Sequence, residues 1–329
     1  MCIRDRGEAY CIHNPSTGRE LTLPHAIAPA PTQRKVLVVG AGPAGLEAAR
    51  VSAERGYTVT VLEAAPKPGG QIRLTALSPR RKEMLSIIDW RMARCEERGV
   101  AFRFNTLADA ATVLAERPDV VIIATGGLPH TEVLATGNDR VVSAWDILGG
   151  DVKPGQDVLL FDDAGDHSAL QAAEVIAQSG ARLEVATPDR TFAPEVMAMN
   201  LVPYMRSLQK LDVTFTVTFR LQSVAPHPTQ SGKLLAVLGS DYGGVRKERV
   251  VDQVVVNHGT LPLEDLYFAL KPHSSNLGAV DYGALIAGQA QTVASNPAGS
   301  FQLFRIGDAV AARNTHAAVL DGLRLAREL

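Results

Sequence analysis

The sequence predicts an α/β fold made of a pair of dinucleotide-binding, Rossmann-type domains, the second inserted in the first. Three observations support this prediction. Apolar residues 36–39 run into a glycine-rich turn and then a helical pattern. A second apolar run, at 158–161, has the length of another buried parallel strand. A Gly-Asp pair precedes a helical pattern near the end of the 329-residue chain, which is long enough for two domains.

The glycine-rich turn, residues 40–45, fits the pattern G-x-G-x-x-G. In this pattern the three glycines meet separate geometric needs. Gly40 permits a tight turn, Gly42 lets the backbone approach a pyrophosphate, and Gly45 lets the next helix pack against the strand. On its own, such a turn is also compatible with an ordinary strand-to-helix connection.

The segment after the turn strengthens the nucleotide interpretation. A helix is expected to begin at Pro43 and Ala44, and a second strand is expected to end at Glu63, followed by Ala64. A carboxylate about 20 residues beyond the glycines is placed to bind the ribose hydroxyls of adenosine. The pyrophosphate would then rest on the helix N-terminus. Strand, turn, helix and carboxylate together predict a nucleotide site.

Three later turns of small residues are expected near the same nucleotide. The first, at 65–71, has two adjacent glycines that allow close passage along a ligand, although a plain turn is the alternative. The second ends the apolar run at 120–123, and the third contains an aspartate that could equally cap a helix. Their candidate cofactor-binding residues are Gly70, Gln71, Ala124, Thr125, Gly126, Gly307 and Asp308.

The second domain is expected to begin near residue 145 and to have lost its glycine fingerprint. Residues 162–168 keep one glycine and carry three carboxylates, which would repel a pyrophosphate. His167 in this turn is interpreted as a solvated loop residue, and His258 as structural, since no charged residue lies near it in sequence. Residues 213–219, 234–238 and 250–256 predict an antiparallel meander.

Composition narrows the class of protein. A net charge of −2 and 5% aromatic residues give no basis for nucleic-acid binding. No apolar run approaches the roughly 18 residues that a membrane span requires, so a soluble, cytoplasmic protein is expected. Three cysteines without a C-x-x-C pair provide neither a disulfide framework nor a redox dithiol.

A Pro-rich connector at 7–32 precedes the first strand. It contains Cys11, Asn14 and Pro15, and a single loop cysteine of this kind is most often only a thiol. Together with residues 35–49, however, the connector resembles the carboxy-terminal part of the 2,4-dienoyl-CoA reductase and trimethylamine dehydrogenase family of NADH:flavin oxidoreductases. Members of this family combine an amino-terminal FMN-binding barrel, a 4Fe-4S cluster held by four cysteines, and two nucleotide-binding domains.

The resemblance implies a truncated flavoprotein. It implies a glutathione-reductase-like pair of domains, with FAD or ADP bound by residues 35–144 and 261–329. Residues 145–260 would form the inserted NAD(P)-binding-like domain with its degenerate fingerprint, and residues 1–34 a linker with the remnant of the iron-sulfur motif. Cys11 would be the fourth cluster ligand of the intact parent only, because the family spaces its third and fourth ligands more widely than Cys2 and Cys11.

Function follows from the same resemblance. Residues Gly69, Gly70 and Gln71 would contact the flavin half of FAD, and Asp308 its ribityl and pyrophosphate region. The expected function is an FAD-binding electron-transfer module of an FMN and 4Fe-4S oxidoreductase, the parent being an amine N-demethylase or an enoate reductase. Its partners would be the missing FMN barrel and an electron-transfer partner. A structural ADP-binding module and an autonomous NAD(P)H-dependent FAD reductase remain open, as does catalysis by this chain alone.

Overall fold

The computed structural model describes residues 10–329, which separate into two compact units. The glycine unit, named after the glycine-rich turn, comprises residues 10–76, 82–128 and 261–329. The aspartate unit, named after the turn at 162–166, comprises residues 77–81 and 129–260 within the described chain. Cys2 lies outside the described residues.

Helices and strands alternate along most of the chain. Up to residue 129 they are β1 (Lys35–Val39), α1 (Pro43–Glu54), β2 (Thr58–Leu62), α2 (Gln71–Thr75), α3 (Ser86–Glu97), β3 (Ala101–Arg103), α4 (Ala110–Ala115), β4 (Val120–Ile123) and β5 (Gly127–Pro129). From there to residue 257 they are β6 (Val141–Ser143), α5 (Ala144–Gly149), β7 (Asp157–Asp162), α6 (His167–Gln178), β8 (Arg182–Ala186), α7 (Ala198–Lys210), β9 (Thr214–Thr216), β10 (Arg220–Pro226), β11 (Leu234–Gly239), β12 (Arg246–Val251) and β13 (Gln253–Asn257). The remainder forms β14 (Thr260–Pro262), α8 (Asp265–Leu270), α9 (Tyr282–Ala287), β15 (Gln302–Arg305) and α10 (Thr315–Arg327).

The glycine unit is built on a five-stranded parallel sheet of order β15-β4-β1-β2-β3. Successive residues of β1 belong to different core clusters, Val36 and Val38 to one and Leu37 and Val39 to the other. The sheet is therefore covered on both faces, which explains why β1 is a continuous apolar run rather than an alternating one. The fold is thus α/β with a Rossmann-like parallel sheet.

The parallel arrangement determines where the predicted site residues lie. The carboxyl ends of β1, β2, β4 and β15 meet at one edge of the sheet, because their neighbouring pairs are all parallel. Ligands of open α/β sheets bind outside this edge. All fourteen predicted cofactor-binding residues follow one of these strands or belong to the helices that begin beside them.

The aspartate unit contains a second parallel sheet, of order β6-β13-β7-β8-β9, and a separate antiparallel sheet of β10, β11 and β12. The predicted meander is therefore wrong at both ends. β9 pairs in parallel with β8, and β13 lies between β6 and β7 as a buried parallel strand. The run at 250–256 divides at Asp252, whose carboxylate accepts a hydrogen bond from the Asp157 amide and pairs with Lys233.

Among the described residues, no helix is both long enough and apolar enough to cross a membrane.

Candidate nucleotide-binding site

The glycine turn is sterically constrained on the protein side and open on the other. Gly40 has φ +106°, and a Cβ on it would overlap the carbonyl of Ala124. A Cβ on Gly45 would overlap the Gly40 carbonyl, so this glycine lets α1 approach the turn closely. Gly42 differs, because a Cβ there would meet no atom within 4 Å. A ligand can therefore approach the backbone at Gly42.

The N-terminus of α1 is available to an anion. Its N-cap, Gly42, supplies no side-chain cap, the first turn has no acidic residue, and Pro43 occupies the start of the helix. The first amides of a helix have no partner within the helix, and they carry the positive end of its dipole. This end of a 12-residue helix is thus suited to a phosphate.

Glu63 lies directly beside the turn. Its Oε2 accepts a hydrogen bond from the Ala41 amide at 2.6 Å, and its Oε1 accepts one from the Ala65 amide at 2.8 Å. Both oxygens are thereby oriented, while a carboxylate keeps further lone pairs for donors such as ribose hydroxyls. Ala64, which follows Glu63 in the chain, is exposed.

The loop at 65–71 is held against the turn and against the end of β15. The Gly69 amide donates to the Ala41 carbonyl at 2.8 Å, and Gln71 Nε2 donates to Asp308 Oδ2 at 3.0 Å. Asp308 also accepts a hydrogen bond from the Arg313 amide. Burial raises the pKa of Asp308, although these hydrogen bonds oppose the shift. The structure therefore brings Gly70, Gln71 and Asp308 together across 237 residues of sequence.

The turn after β4 makes hydrogen bonds within the protein that the sequence does not predict. Thr125 Oγ1 donates to the Leu263 carbonyl at 2.6 Å, and the Gly126 carbonyl accepts from the Leu263 amide at 3.0 Å. Ala124 is buried against the glycine turn. The Thr125 hydroxyl is accordingly engaged within the protein, and a ligand would meet the backbone of this turn.

Asp321 was missed by sequence reasoning. This residue of α10 accepts a hydrogen bond from the Gly307 amide at 3.1 Å and forms an ion pair with Arg313. It thereby orients the turn that carries Asp308. An acidic residue in the middle of a helix does not by itself predict such a contact, because its partner, the Gly307 amide, lies in a separate turn.

The aspartate turn is satisfied by its own unit. Asp162 Oδ1 accepts hydrogen bonds from the Gly165 amide at 3.0 Å and from Asn257 Nδ2 at 2.9 Å. Asp166 caps α6 by accepting from the Ser168 amide, and it also accepts from Asn257. Burial raises the pKa of Asp162 to about 7. Asp162 and Asp166 thus accept hydrogen bonds from amides within residues 162–168.

The structure corrects the interpretation of His167 and adds a charge partner to His258. His167 is not a solvated loop residue, because it begins α6 and bonds to Arg81, and burial lowers its pKa to about 4. His258 has a charge partner after all, since its Nδ1 lies 2.8 Å from Asp163 Oδ1. The chain separates these two residues by 95 positions, which hides the pair from sequence reasoning.

Cys11 lies in a defined loop of the connector. Its sulfur accepts a hydrogen bond from the Asn14 amide at 3.3 Å, and its carbonyl accepts one from His316 Nδ1 at 3.1 Å. The other described cysteine, Cys95, is buried in the core, where desolvation raises its pKa to about 12. Within residues 10–329, no group of three metal-ligating side chains comes together. A four-iron cluster therefore does not fit the described part of this chain alone.

Comparison with known proteins agrees with the geometry. Residues 38–87 match the model of the NAD(P)-binding Rossmann-like domain. A probable N-methylproline demethylase from Rhizobium meliloti is 68% identical over 99% of this chain and 48% of its own length. An N,N-dimethylglycine/sarcosine dehydrogenase from Chromohalobacter salexigens is 44% identical over 98% of this chain, again 48% of its own length.

Two solved structures are similar in fold to this chain. Histamine dehydrogenase from Rhizobium sp. 4-9 superposes with a TM-score of 0.80 and 25% identity, covering 98% of this chain and 48% of that one. Thioredoxin reductase from Lactococcus lactis superposes with a TM-score of 0.62 at 17% identity, covering 90% and 97%, which is a likeness of fold alone. The chain is thus similar to demethylases and dehydrogenases, and it spans about half the length of the curated relatives it matches.

Proposed function

We propose that this chain is the FAD-binding, electron-transferring part of a flavin oxidoreductase of the 2,4-dienoyl-CoA reductase and trimethylamine dehydrogenase family. The observation that carries the proposal is the pairing of an uncapped α1 N-terminus with Glu63, whose carboxylate bonds to the Ala41 amide of the same turn. An amide-rich helix end suits a pyrophosphate, and a neighbouring carboxylate suits a ribose. The relatives' names support an oxidoreductase.

The cofactor would be held by residues in three groups. The backbone of Gly40, Gly42, Pro43, Ala44 and Gly45 would contact the pyrophosphate, and Glu63 with Ala64 the adenosine ribose. Gly70, Gln71, Gly307 and Asp308 would contact the flavin side, with the backbone of Ala124, Thr125 and Gly126 beside them. When bound, FAD would supply one- and two-electron transfer. The residues of the chain would bind it and orient it.

The domain organisation and the parent reaction belong to the same proposal. Residues 35–144 and 261–329 would form the cofactor domain, residues 145–260 an inserted NAD(P)-binding-like domain of a glutathione-reductase-like pair, and residues 1–34 the linker. The parent would be a cytoplasmic amine N-demethylase. The names of the relatives from Rhizobium meliloti and Chromohalobacter salexigens describe enzymes of N-methylated amino acids, which supports this proposal. Its FMN, its 4Fe-4S cluster with Cys11 as a ligand and its catalytic barrel would come from the remainder of a longer protein.

A structural ADP-binding role is the second candidate, favoured by one observation. In the aspartate turn, Asp162 and Asp166 accept hydrogen bonds from amides that a second dinucleotide would need. This turn is therefore not expected to bind NAD(P)H as an electron donor. The same observation speaks against an autonomous NAD(P)H-dependent reductase.

The deciding experiment is the near-ultraviolet and visible absorbance spectrum of the purified chain, followed by denaturation and identification of the released nucleotide. We expect a flavin spectrum and released FAD. Colourless protein that releases ADP would support the structural role. Protein that neither contains nor takes up either nucleotide on incubation would overturn both. Bleaching of the flavin by NADH would establish the autonomous reductase instead.

A further inference from the structure

The Cys11 loop, residues 11–14 of the connector, is bonded to two helices of the glycine unit through its backbone. Nδ1 of His316, in the first turn of α10, donates to the Cys11 carbonyl at 3.1 Å. Nη2 of Arg91, in α3, donates to the His13 carbonyl at 2.7 Å. The loop is therefore held in place by side chains of the folded unit rather than by its own sequence.

Arg91 also connects the loop with α1. Its side chain is fully buried, and its Nε donates to Oε2 of the almost fully buried Glu47 at 2.7 Å. Its Nη1 donates to the Ile87 carbonyl at 2.9 Å. One guanidinium thus bonds to α1, α3 and the loop at once, which its rigid fork of donors allows. Release of the loop would remove the His13 acceptor from a buried charged group, which is unfavourable.

The helices α1 and α10 extend from the Cys11 loop to the candidate nucleotide site. Glu47 lies in the second turn of α1, three residues after Ala44. A Cβ on Gly322 of α10 would lie 2.5 Å from the Ala44 carbonyl, so the two helices are in backbone contact there. Asp321 of α10 accepts a hydrogen bond from the Gly307 amide at 3.1 Å. Both helices therefore contact the loop and the site.

We propose that the Cys11 loop is coupled to the nucleotide site, so that a nucleotide bound at the start of α1 holds the loop in its bonded position. One route of coupling runs through Glu47 and Arg91, the other through α10 and His316. A ligand favours one conformation only if it binds that conformation more tightly. With the loop released, α1 and α10 lose contacts beside the site, so the nucleotide binds more weakly. The coupling rests on the nucleotide site of the proposed function, and it assigns no ligand to Cys11.

Alkylation of the Cys11 thiol measures release of the loop. This thiol is half-buried, and its sulfur accepts a hydrogen bond from the Asn14 amide, so it should react faster in the released loop. Apoprotein of the Cys2→Ser variant is treated with iodoacetamide, with and without saturating ADP, and each thiol is followed by mass spectrometry of its peptide. We expect ADP to slow alkylation of Cys11 about tenfold, a usual size for coupling between sites.

The buried Cys95 is the internal control for global unfolding. We expect it to react far more slowly than Cys11. Equal rates for the two thiols would show that only global unfolding exposes Cys11, and would overturn the proposal. An unchanged rate of Cys11 at saturating ADP would overturn it as well.

Two substitutions of His316 separate coupling from direct shielding of the thiol. His316→Phe keeps a ring beside Tyr10 but removes the hydrogen bond to the Cys11 carbonyl. Protection by ADP should fall to about threefold, because the route through Arg91 remains. His316→Asn, whose side-chain amide can donate in place of Nδ1, should restore most of the tenfold protection. Full protection in His316→Phe would indicate shielding and overturn the proposal.

Arg91→Lys tests the other route, and it replaces the first pair if His316→Phe does not fold. Lysine keeps the charge beside Glu47, but it lacks the fork that also reaches the His13 carbonyl. Protection by ADP should again fall to about threefold. Arg94→Lys, at an exposed arginine of the same helix, is the matched control and should keep the full effect. Equal protection in both variants would overturn the role of Arg91.

Calorimetry with ADP and with FAD on the same samples separates the coupling from the proposed function. Binding of nucleotide without protection of Cys11 would overturn only the coupling. A chain that binds ADP but not FAD, and protects Cys11, would support the coupling and overturn the electron-transferring role. A chain that binds neither nucleotide would overturn both.

Discussion

Two helices of equal length, α1 and α6, begin after buried parallel strands, yet their N-termini differ completely. The α1 terminus has no side-chain cap, and its N-cap glycine has open space in front of it. The α6 terminus is capped by Asp166, and the preceding Asp162 accepts from the Gly165 amide. The same strand-turn-helix geometry is therefore open to an anion in one unit and satisfied by side-chain carboxylates in the other. Secondary structure alone does not distinguish a binding turn from a closed one.

The two turns also differ in the surroundings of their carboxyl groups. Glu63 is half-buried, and its two carboxylate oxygens accept hydrogen bonds from two backbone amides. Asp162 is buried, and the neighbouring Asp166 adds to the cost of its ionisation, which together raise its pKa to about 7. The buried carboxyl group of the aspartate turn therefore keeps its proton to a higher pH than a free aspartate does.

Gly42→Ala is expected to have the largest effect among the variants that test the difference between the two helix N-termini. A methyl group there meets no protein atom within 4 Å, and the backbone φ of −76° suits alanine, so the fold should be unchanged. The methyl group would, however, keep a pyrophosphate away from the turn. We expect about a 100-fold loss of nucleotide affinity, or roughly 2.7 kcal/mol, measured by calorimetry on apoprotein. Gly243→Ala, also in open space, is the matched control, and equal affinities of the two variants would refute the role of the turn.

Asp162→Asn tests the closed turn through its pH dependence. Between about pH 4 and 7 the unfolded wild type releases this proton while the folded state keeps it, so wild-type stability falls as pH rises. Asparagine keeps the acceptor oxygen without the charge. We expect the variant to be more stable than the wild type by about 2 kcal/mol near pH 8, with no difference at about pH 4. Thermal unfolding across this range measures it.

The exposed Asp151 provides the control for that experiment, because Asp151→Asn should leave the pH profile unchanged. A constant offset between Asp162→Asn and wild type at every pH would contradict the assignment.

Glu63→Gln should have a smaller effect than Gly42→Ala. Glutamine has one acceptor oxygen in place of two, so it cannot accept from both the Ala41 and the Ala65 amides. We expect nucleotide affinity to fall about tenfold, equivalent to roughly 1.4 kcal/mol. Calorimetry with FAD and with ADP checks this, and an unchanged affinity for both would remove the ribose role from Glu63.

The smallest effect concerns Gln71, which bonds to Asp308 from the loop over the glycine turn. Gln71→Leu removes one partly buried hydrogen bond, typically worth about 1 kcal/mol, and frees the loop. FAD affinity should fall a few-fold, and ADP affinity should not change, since this contact lies on the proposed flavin side. An equal loss for both ligands would argue against that placement.

Local patterns made the glycine turn predictable from sequence. The spacing of Gly40, Gly42 and Gly45 and the distance to Glu63 are short-range features of a single β-α-β unit. The partners that complete the site were not predictable in this way. Asp321 and Leu263 act through loops that no periodicity connects to the turn. His258 and Asp163 are likewise brought together only because β13 and β7 are neighbours.

The predicted meander failed for a related physical reason. A central parallel strand such as β13 is buried on both faces and therefore appears in the sequence as a short apolar run. An antiparallel strand can show the same sequence pattern. Only the pairing of β13 with β6 and β7 distinguishes the two.

The position of β15 beside β4 has a consequence for the order of events during synthesis. β15 completes a sheet whose other strands lie about 180 residues or more earlier in the chain. Nearly all of the aspartate unit, residues 129–260, leaves the ribosome before β15 does. That unit can therefore fold first, as domains generally do during translation, while β4 waits with an unpaired edge. The edge of β4 that pairs with β15 therefore lacks this partner from the synthesis of residue 123 until residues 302–305 follow.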